Sequence, residues 1–115
     1  MPLLNFQKQF ADDVECGKKN QTIRKTRKRP IKAGDNLYLY TGLRTKKARE
    51  LKETICKTVE DIIITEDKDI IISGEPLNGG FDHFAQLDGF KDYNDMLSWF
   101  NNTHGLPFTG QLIRW

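Results

Sequence analysis

The sequence has 115 residues, of which 18 are lysine or arginine, 16 are aspartate or glutamate and two are cysteine. This length predicts a single domain over residues 1–115, with one core and no room for a second fold. Cys16 and Cys56 have no CxxC spacing and no paired histidines beside them, so the pattern argues against a disulfide framework and against a zinc site.

The chain shows no targeting segment and no pattern typical of a cofactor site. Residues 1–5 lack a basic stretch followed by a long apolar run, and no segment is apolar over the length needed to cross a bilayer. His83 and His104 lack the spacing of metal ligands, and we interpret both as surface or helix-end residues. We therefore expect a cytoplasmic protein with no metal, no cofactor and no membrane partner.

The N-terminal residues predict a helix. Phe6, Phe10 and Val14 recur at intervals of four, which places three apolar side chains on one face of a helix over residues 5–16. Gly17 suits the left-handed conformation that ends many helices. The two lysines that follow are then directed beyond the helix end.

Short strands and basic loops follow in the middle of the chain. Residues 21–25 predict a strand and residues 26–32 an exposed loop, because the basic residues around the proline cannot all be buried. A turn over 33–36 leads into a buried strand over 37–40. Residues 42–49 predict a second basic loop, which we place on the same rim as the first.

The second half of the chain alternates strands with short helices. The predicted segments are a strand-like stretch over 51–65, a hairpin return over 70–72, a loop over 73–80, helices over 81–87 and 92–101, and a closing strand over 108–115. Short helices alternating with mainly antiparallel strands indicate the α+β class.

Basic residues are concentrated in one stretch. Residues 17–33 contain eight lysines or arginines and no acidic residue, whereas residues 61–115 have a net charge of −6. A polyanion approaching the basic stretch would meet no competing carboxylate. Such a run is typical of a solvated face. Thr22 lies within it, three residues after Lys19, and adds a hydroxyl to the charge.

The order and spacing of three short motifs resemble the ASCH domain, a small relative of the PUA RNA-binding barrel. The motifs are Gly-Lys-Lys-Asn-Gln-Thr-Ile-Arg over 17–24, Ala-Gly-Asp-Asn-Leu-Tyr-Leu-Tyr-Thr-Gly over 33–42 and Ala-Gln-Leu-Asp-Gly-Phe over 85–90. The resemblance spans nearly the whole chain. It implies a small PUA-like mixed β-barrel, partly open and flanked by short helices, with Trp99 and Phe100 plugging one end.

The resemblance also implies an activity, since one bacterial branch of the family removes the acetyl group from N-acetylated cytidine. That branch has a Lys-Thr pair in the same motif, matched here by Lys19 and Thr22, and a distant glutamate. The acid position falls on Asp88, which reaches ~1.5 Å less than a glutamate. Thr22 would be the nucleophile or position a water, Lys19 would be the base, and Asp88 would handle the leaving amine. The expected binders of the modified cytidine nucleoside are Arg24, Gln21, Phe90 and Tyr40.

Two conditions apply to this site. Residues three apart on a regular strand point to opposite faces, so Lys19 and Thr22 converge only if Lys19 lies in a turn or the strand is bulged. A lysine base also needs a pKa lowered by burial or by neighbouring cations. Glu75, on a Gly-rich loop, is a second candidate for the acid.

Two non-catalytic functions remain open. The domain is alternatively a module that binds single-stranded RNA, with Tyr38, Tyr40 or Phe90 offering a stacking face. The residues expected to engage phosphates are Arg24, Arg27, Lys28, Arg29, Arg44, Lys46, Lys47 and Arg49. The other possibility is an accessory role, similar to that in toxin–antitoxin pairs, in which the basic face meets an acidic protein.

Overall fold

The computed structural model describes residues 2–115 and has an α+β architecture, which confirms the predicted class. Over these residues the elements are β1 (Leu3–Phe6), α1 (Lys8–Cys16), β2 (Gln21–Arg24), β3 (Asn36–Thr41), β4 (Arg49–Ile55), β5 (Thr58–Ile64), β6 (Ile70–Ile72), β7 (Glu75–Pro76), α2 (Phe81–Leu87), α3 (Tyr93–Thr103) and β8 (Phe108–Arg114). No helix in residues 2–115 is both long and apolar enough to cross a membrane.

The strands form two sheets. The smaller has the order β1-β3-β4, with β1 parallel to β3 and β3 antiparallel to β4. The larger has the order β2-β8-β5-β6-β7, and all of its neighbours are antiparallel. The strand-like stretch predicted over 51–65 is split at Cys56 and Lys57, where the chain leaves one sheet and enters the other. Neither sheet closes on itself among these eight strands, so they form no closed barrel.

The first helix is shorter than predicted, because a strand precedes it. Leu4 and Phe6 are buried while Leu3 and Asn5 are exposed, which is the alternation of a strand rather than the period of a helix. The prediction of a helix from residue 5 was therefore wrong at its start. Phe10 and Val14 are buried on α1 as predicted, but Phe6, the first residue of this spacing, lies on β1.

Strand β8 is an interior strand of the larger sheet, where it pairs with β2 on one side and β5 on the other. Gly110 allows the close approach of β2. A Cβ atom at this position would lie 2.2 Å from the backbone oxygen of Arg24, a distance that no side chain could tolerate without moving the strand. The N-terminal part of the chain that carries the Lys-Thr motif is thus held against the C-terminal strand.

Two aromatic residues of α3, Trp99 and Phe100, pack against each other. Phe100 is 1% exposed and its ring centroid lies 4.9 Å from that of Trp99, in an edge-to-face arrangement. Both rings form part of the wall of a cavity, and their expected place at the end of a partly open barrel stays a prediction.

Candidate active site

Lys19 lies in the turn between α1 and β2, which meets the geometric condition set by the sequence. Gly17 ends α1 with a φ of 88°, a left-handed conformation that glycine adopts without strain. The backbone N–H of Lys19 then donates to the Asp13 carbonyl over 2.9 Å. Because Lys19 precedes the strand, its side chain reaches the same cavity as Thr22, the second residue of β2.

The side chain of Lys19 is buried against the end of α2. It is 3% exposed, and its Nζ lies 3.5 Å from Oδ1 of Asp88, which is itself 3% exposed. The same Nζ also donates to the backbone carbonyl of Asp88. Gly89 leaves room for this contact, since a Cβ there would lie 3.2 Å from Cδ of Lys19 and 2.8 Å from the Phe10 ring.

Burial shifts the ionisation of both members of this pair. Burial lowers the pKa of Lys19, and the attraction of the Asp88 carboxylate offsets that shift only in part. Burial raises the pKa of Asp88 against the opposing effects of Lys19 and of a hydrogen bond from Gln21. Each shift moves the pair towards its uncharged form, in which Lys19 is an amine and Asp88 a carboxyl group.

Thr22 is held by Arg24. The Thr22 hydroxyl oxygen accepts a hydrogen bond of 3.0 Å from Nε of Arg24, and Thr22 is 4% exposed. The hydroxyl proton of Thr22 stays available to a base, because the oxygen acts as acceptor in this contact. The guanidinium also lies over the Phe6 ring, 4.7 Å from its centroid. A fixed cation beside the hydroxyl stabilises negative charge that develops on its oxygen.

These groups line one cavity of about 280 Å³. Its polar side is formed by Lys19, Thr22, Arg24 and Asp88, and its apolar side consists of the aromatic rings of Phe6, Phe10, Phe90, Trp99 and Phe100. Pockets for drug-sized molecules usually measure about 300–1,000 Å³, so this one suits a smaller planar ligand. Flat rings opposite a few polar groups favour a single aromatic base.

Several of these cavity residues were not identified from the sequence. Asn5, Gln7, Phe10 and His104 line the cavity, yet the histidine was interpreted only as a surface or helix-end residue. It does follow the end of α3. Burial, and then Lys25 and Arg24, lower the pKa of His104, so the imidazole is neutral at neutral pH. No local motif marks these positions, because they meet only through the packing of distant elements.

Three predicted site residues lie elsewhere. Tyr40 is not part of the cavity wall, and its hydroxyl donates to Glu50 on β4 over 3.3 Å. Glu75 is exposed on β7, at the edge of the larger sheet, so Asp88 rather than Glu75 is the acid of the cavity. Gln21 faces away from the cavity, but its amide donates to Oδ1 of Asp88 over 3.3 Å. It therefore orients the acid instead of contacting a ligand.

The basic residues predicted to meet phosphates fall into two groups. Arg27, Lys28 and Arg29 border a second cavity of about 540 Å³, which is also lined by Pro2 just before β1, and all three are exposed. Arg27 also donates to the backbone carbonyl of Leu3. Arg44, Lys46 and Lys47 are exposed on the loop before β4.

Arg49 is engaged within the chain. At the start of β4 it forms an ion pair of 2.6 Å with Glu15 on α1. Both side chains are about half exposed, 48% and 47%. A pair of this kind leaves Arg49 less available to a phosphate than the neighbouring loop lysines.

Comparison of the chain with protein families, with curated proteins and with solved structures found no match.

Proposed function

We propose that the chain is an ASCH-like, PUA-related domain that hydrolyses the acetyl amide of N-acetylated cytidine or of a related acylated cytosine. One observation carries this proposal: the buried pair of Lys19 and Asp88 lies in the same aromatic-lined cavity as Thr22. Amide hydrolysis needs a nucleophile, a base for its proton and an acid for the leaving amine. The cavity holds one residue suited to each task.

The first half of the reaction forms an acetyl ester on Thr22. The hydroxyl oxygen of Thr22 attacks the acetyl carbonyl carbon, and its proton passes to the uncharged amine of Lys19. The carbon–nitrogen bond then breaks, and the exocyclic nitrogen of cytosine takes a proton from the carboxyl group of Asp88. Arg24, which donates to the Thr22 oxygen over 3.0 Å, opposes the negative charge of the tetrahedral intermediate.

The second half releases acetate and restores the pair. Lys19 is now an ammonium and Asp88 a carboxylate, so their roles reverse. A water attacks the acetyl ester and gives a proton to Asp88, while the Thr22 oxygen leaves with a proton from Lys19. Each residue thereby returns to its starting protonation state. The low exposure of both groups limits competing proton exchange with bulk water.

We expect the wild-type protein to convert acetylcytidine to cytidine with a bell-shaped pH dependence of kcat/KM. The active pair carries one proton in total, because the doubly protonated pair lacks a base and the fully deprotonated pair lacks an acid. In Asp88→Asn, residual activity should rise with pH to a plateau, since only Lys19 still titrates. Chromatography of substrate and product measures both profiles. No turnover from mildly acidic to alkaline pH would refute the hydrolase.

A second candidate function, binding of single-stranded RNA, is favoured by Lys28 and Arg29. Both are exposed and make no hydrogen bond or ion pair within residues 2–115. If about four to six phosphates are contacted, the logarithm of the binding constant should fall with the logarithm of salt concentration with a slope of roughly −3 to −4. Fluorescence anisotropy of a labelled oligonucleotide measures this slope.

The test of RNA binding removes positive charge within the basic stretch and, as a control, outside it. Lys28→Gln combined with Arg29→Gln should weaken binding and reduce the slope by about one or more, because each lost phosphate contact lowers it by roughly 0.7. Lys68→Gln, on the exposed turn between β5 and β6, should leave both unchanged. A salt response that is flat between low and physiological ionic strength would exclude this function.

A further inference from the structure

Arg24 and Arg27 are fixed side by side on the free edge of β1. Nη2 of Arg24 donates to the Asn5 carbonyl over 2.7 Å, and Nη2 of Arg27 donates to the Leu3 carbonyl. These carbonyls point away from β3, since the Pro2 carbonyl is the one that accepts from Tyr38. Residues two apart along a strand are separated by about 6.6 Å, so the two guanidinium groups bind carbonyls that lie about this far apart.

Both guanidinium groups keep donors that the rest of the chain does not use. An arginine has five N–H donors. Among residues 2–115, Arg24 uses only Nε and Nη2, and Arg27 uses only Nη2. Neither forms an ion pair with a carboxylate there. The free donors therefore form a forked surface, which is the geometry that arginine uses for phosphate.

The two cations also repel each other. Burial, followed by the charge of Arg27, lowers the pKa of Arg24 to about 10. Asp88 is close enough to oppose this shift but does not contact Arg24 as an ion pair. Because no carboxylate lies between the two cations, a bound anion would offset their electrostatic repulsion.

The pair spans the boundary between two cavities. Arg24 lines the aromatic cavity of Lys19 and Asp88. Arg27 lines the neighbouring cavity with Lys28 and Arg29, where the one carboxylate in the wall, that of Asp35, already accepts from the backbone N–H of Lys32. An anion bound by both arginines would thus lie next to a ligand in the aromatic cavity.

We propose that Arg24 and Arg27 bind a phosphate group attached to the cytidine whose base occupies the aromatic cavity. The substrate is then a phosphorylated cytidine, either a mononucleotide or a residue within a single RNA strand, rather than the free nucleoside. This inference rests on the proposed function, because it assumes that the base lies beside Lys19 and Asp88. The phosphate chemistry is the same in both sources.

The test compares ligands that differ only in the phosphate. Titration calorimetry at low salt would measure Kd for cytidine, for cytidine 5′-monophosphate, for cytidine 3′-monophosphate and for a trinucleotide with a central cytidine. Charge-assisted hydrogen bonds to phosphate should make at least one phosphorylated ligand about tenfold or more tighter than cytidine. A gain with a monophosphate identifies a mononucleotide, whereas a gain with the trinucleotide alone identifies an RNA strand.

Arg27 is the residue to substitute, because Arg24 also donates to the Thr22 hydroxyl and its loss would disturb the proposed nucleophile. Arg27→Gln should abolish most of the gain from the phosphate and leave Kd for cytidine unchanged, while Arg27→Lys should retain part of the gain. Lys68→Gln is the matched control for loss of one positive charge. Circular dichroism and thermal melting establish that each variant is folded, because Arg27 also contacts the backbone of β1.

The outcomes separate this inference from the proposed function. If acetylcytidine is hydrolysed but no phosphorylated ligand binds more tightly than cytidine, the phosphate site is refuted and the hydrolase stands. If neither cytidine nor acetylcytidine binds and no turnover occurs, both are refuted. An equal gain in wild type and Arg27→Gln would also overturn the assignment of the phosphate to this pair.

Discussion

Thr22→Val and Lys19→Met are each expected to lower kcat/KM for acetylcytidine by about 10²- to 10⁴-fold, the usual contribution of a positioned base or of the nucleophile it activates. Valine keeps the shape of Thr22 and removes its oxygen, and methionine keeps most of the length of Lys19 and removes its amine. Steady-state kinetics with chromatographic detection measures the loss. The double variant should lose little more than either single variant, because the two residues act as one unit.

The controls for turnover use the same substitutions outside the cavity. Thr109→Val, on the exposed side of β8, and Lys57→Met, in the exposed segment before β5, should retain wild-type kinetics. Mass spectrometry of the protein during turnover should detect an acetyl group on Thr22 and none in Thr22→Val. Full activity in Thr22→Val would remove the threonine from the mechanism and leave a water as the attacking group.

Asp88→Glu tests whether the reaction is limited by having an aspartate where the resembled enzymes have the longer glutamate. If the reach of the carboxyl group limits the reaction, the longer side chain should hold or raise the rate. If Asp88 only ties down the turn after α2, the rate should not depend on the length of the acid. The backbone carbonyl of Asp88, which also accepts from Lys19, is retained in this variant and keeps the lysine in place.

Lys19→Met is also expected to cost about 3–5 kcal/mol of unfolding free energy near neutral pH, because removing one partner of a buried titratable pair leaves Asp88 buried without its counterpart. Asp88 is 3% exposed, and the amide of Gln21 would be its remaining side-chain donor. Urea unfolding followed by circular dichroism measures the loss. Lys57→Met, which removes an exposed lysine, should change stability little.

The destabilisation of Lys19→Met should depend on pH with a definite sign. Burial already raises the pKa of Asp88, and loss of Lys19, whose charge and hydrogen bond oppose that shift, raises the pKa further. A carboxyl group with a raised pKa in the folded state favours folding below its ordinary pKa of about 3.9, and that stability is lost as pH rises. The unfolding free energy should therefore fall from acidic to neutral pH. Asp88→Asn in the same background should flatten the curve, whereas a flat curve in Lys19→Met alone would mean that Asp88 is solvated.

The local elements were largely predictable because their signals lie within a few residues. The hairpin of β5 and β6 follows from isoleucine runs around a polar turn, and α2 ends where Asp88 and Gly89 interrupt it. The failure at β1 has the same origin. Phe6 continues the four-residue apolar spacing of α1, and four strand residues carry too short an alternation to outweigh it.

The candidate site was predictable only in part, because half of it comes from distant segments. The spacing of Lys19 and Thr22 is visible along the chain, but the contact between Lys19 and Asp88 joins residues 69 positions apart. Tyr40 was expected to bind ligand because aromatic residues near basic loops often stack on bases, yet β3 aims it at Glu50. The positions of Asn5 and His104 depend on how β1 and α3 pack, and no local pattern reports that packing.

The pairing of β2 with β8 has a consequence for synthesis on the ribosome. β2 is an edge strand whose one partner in its sheet is β8, and the backbone N–H of Trp115 donates to the Asn20 carbonyl over 3.1 Å. The turn that carries Lys19 leads into β2, and β2 has no partner strand until residues 108–114 leave the exit tunnel. Contacts between such distant segments form slowly. The smaller sheet can form earlier, so the nascent protein passes through a state in which its scaffold is folded and its reactive groups are still apart.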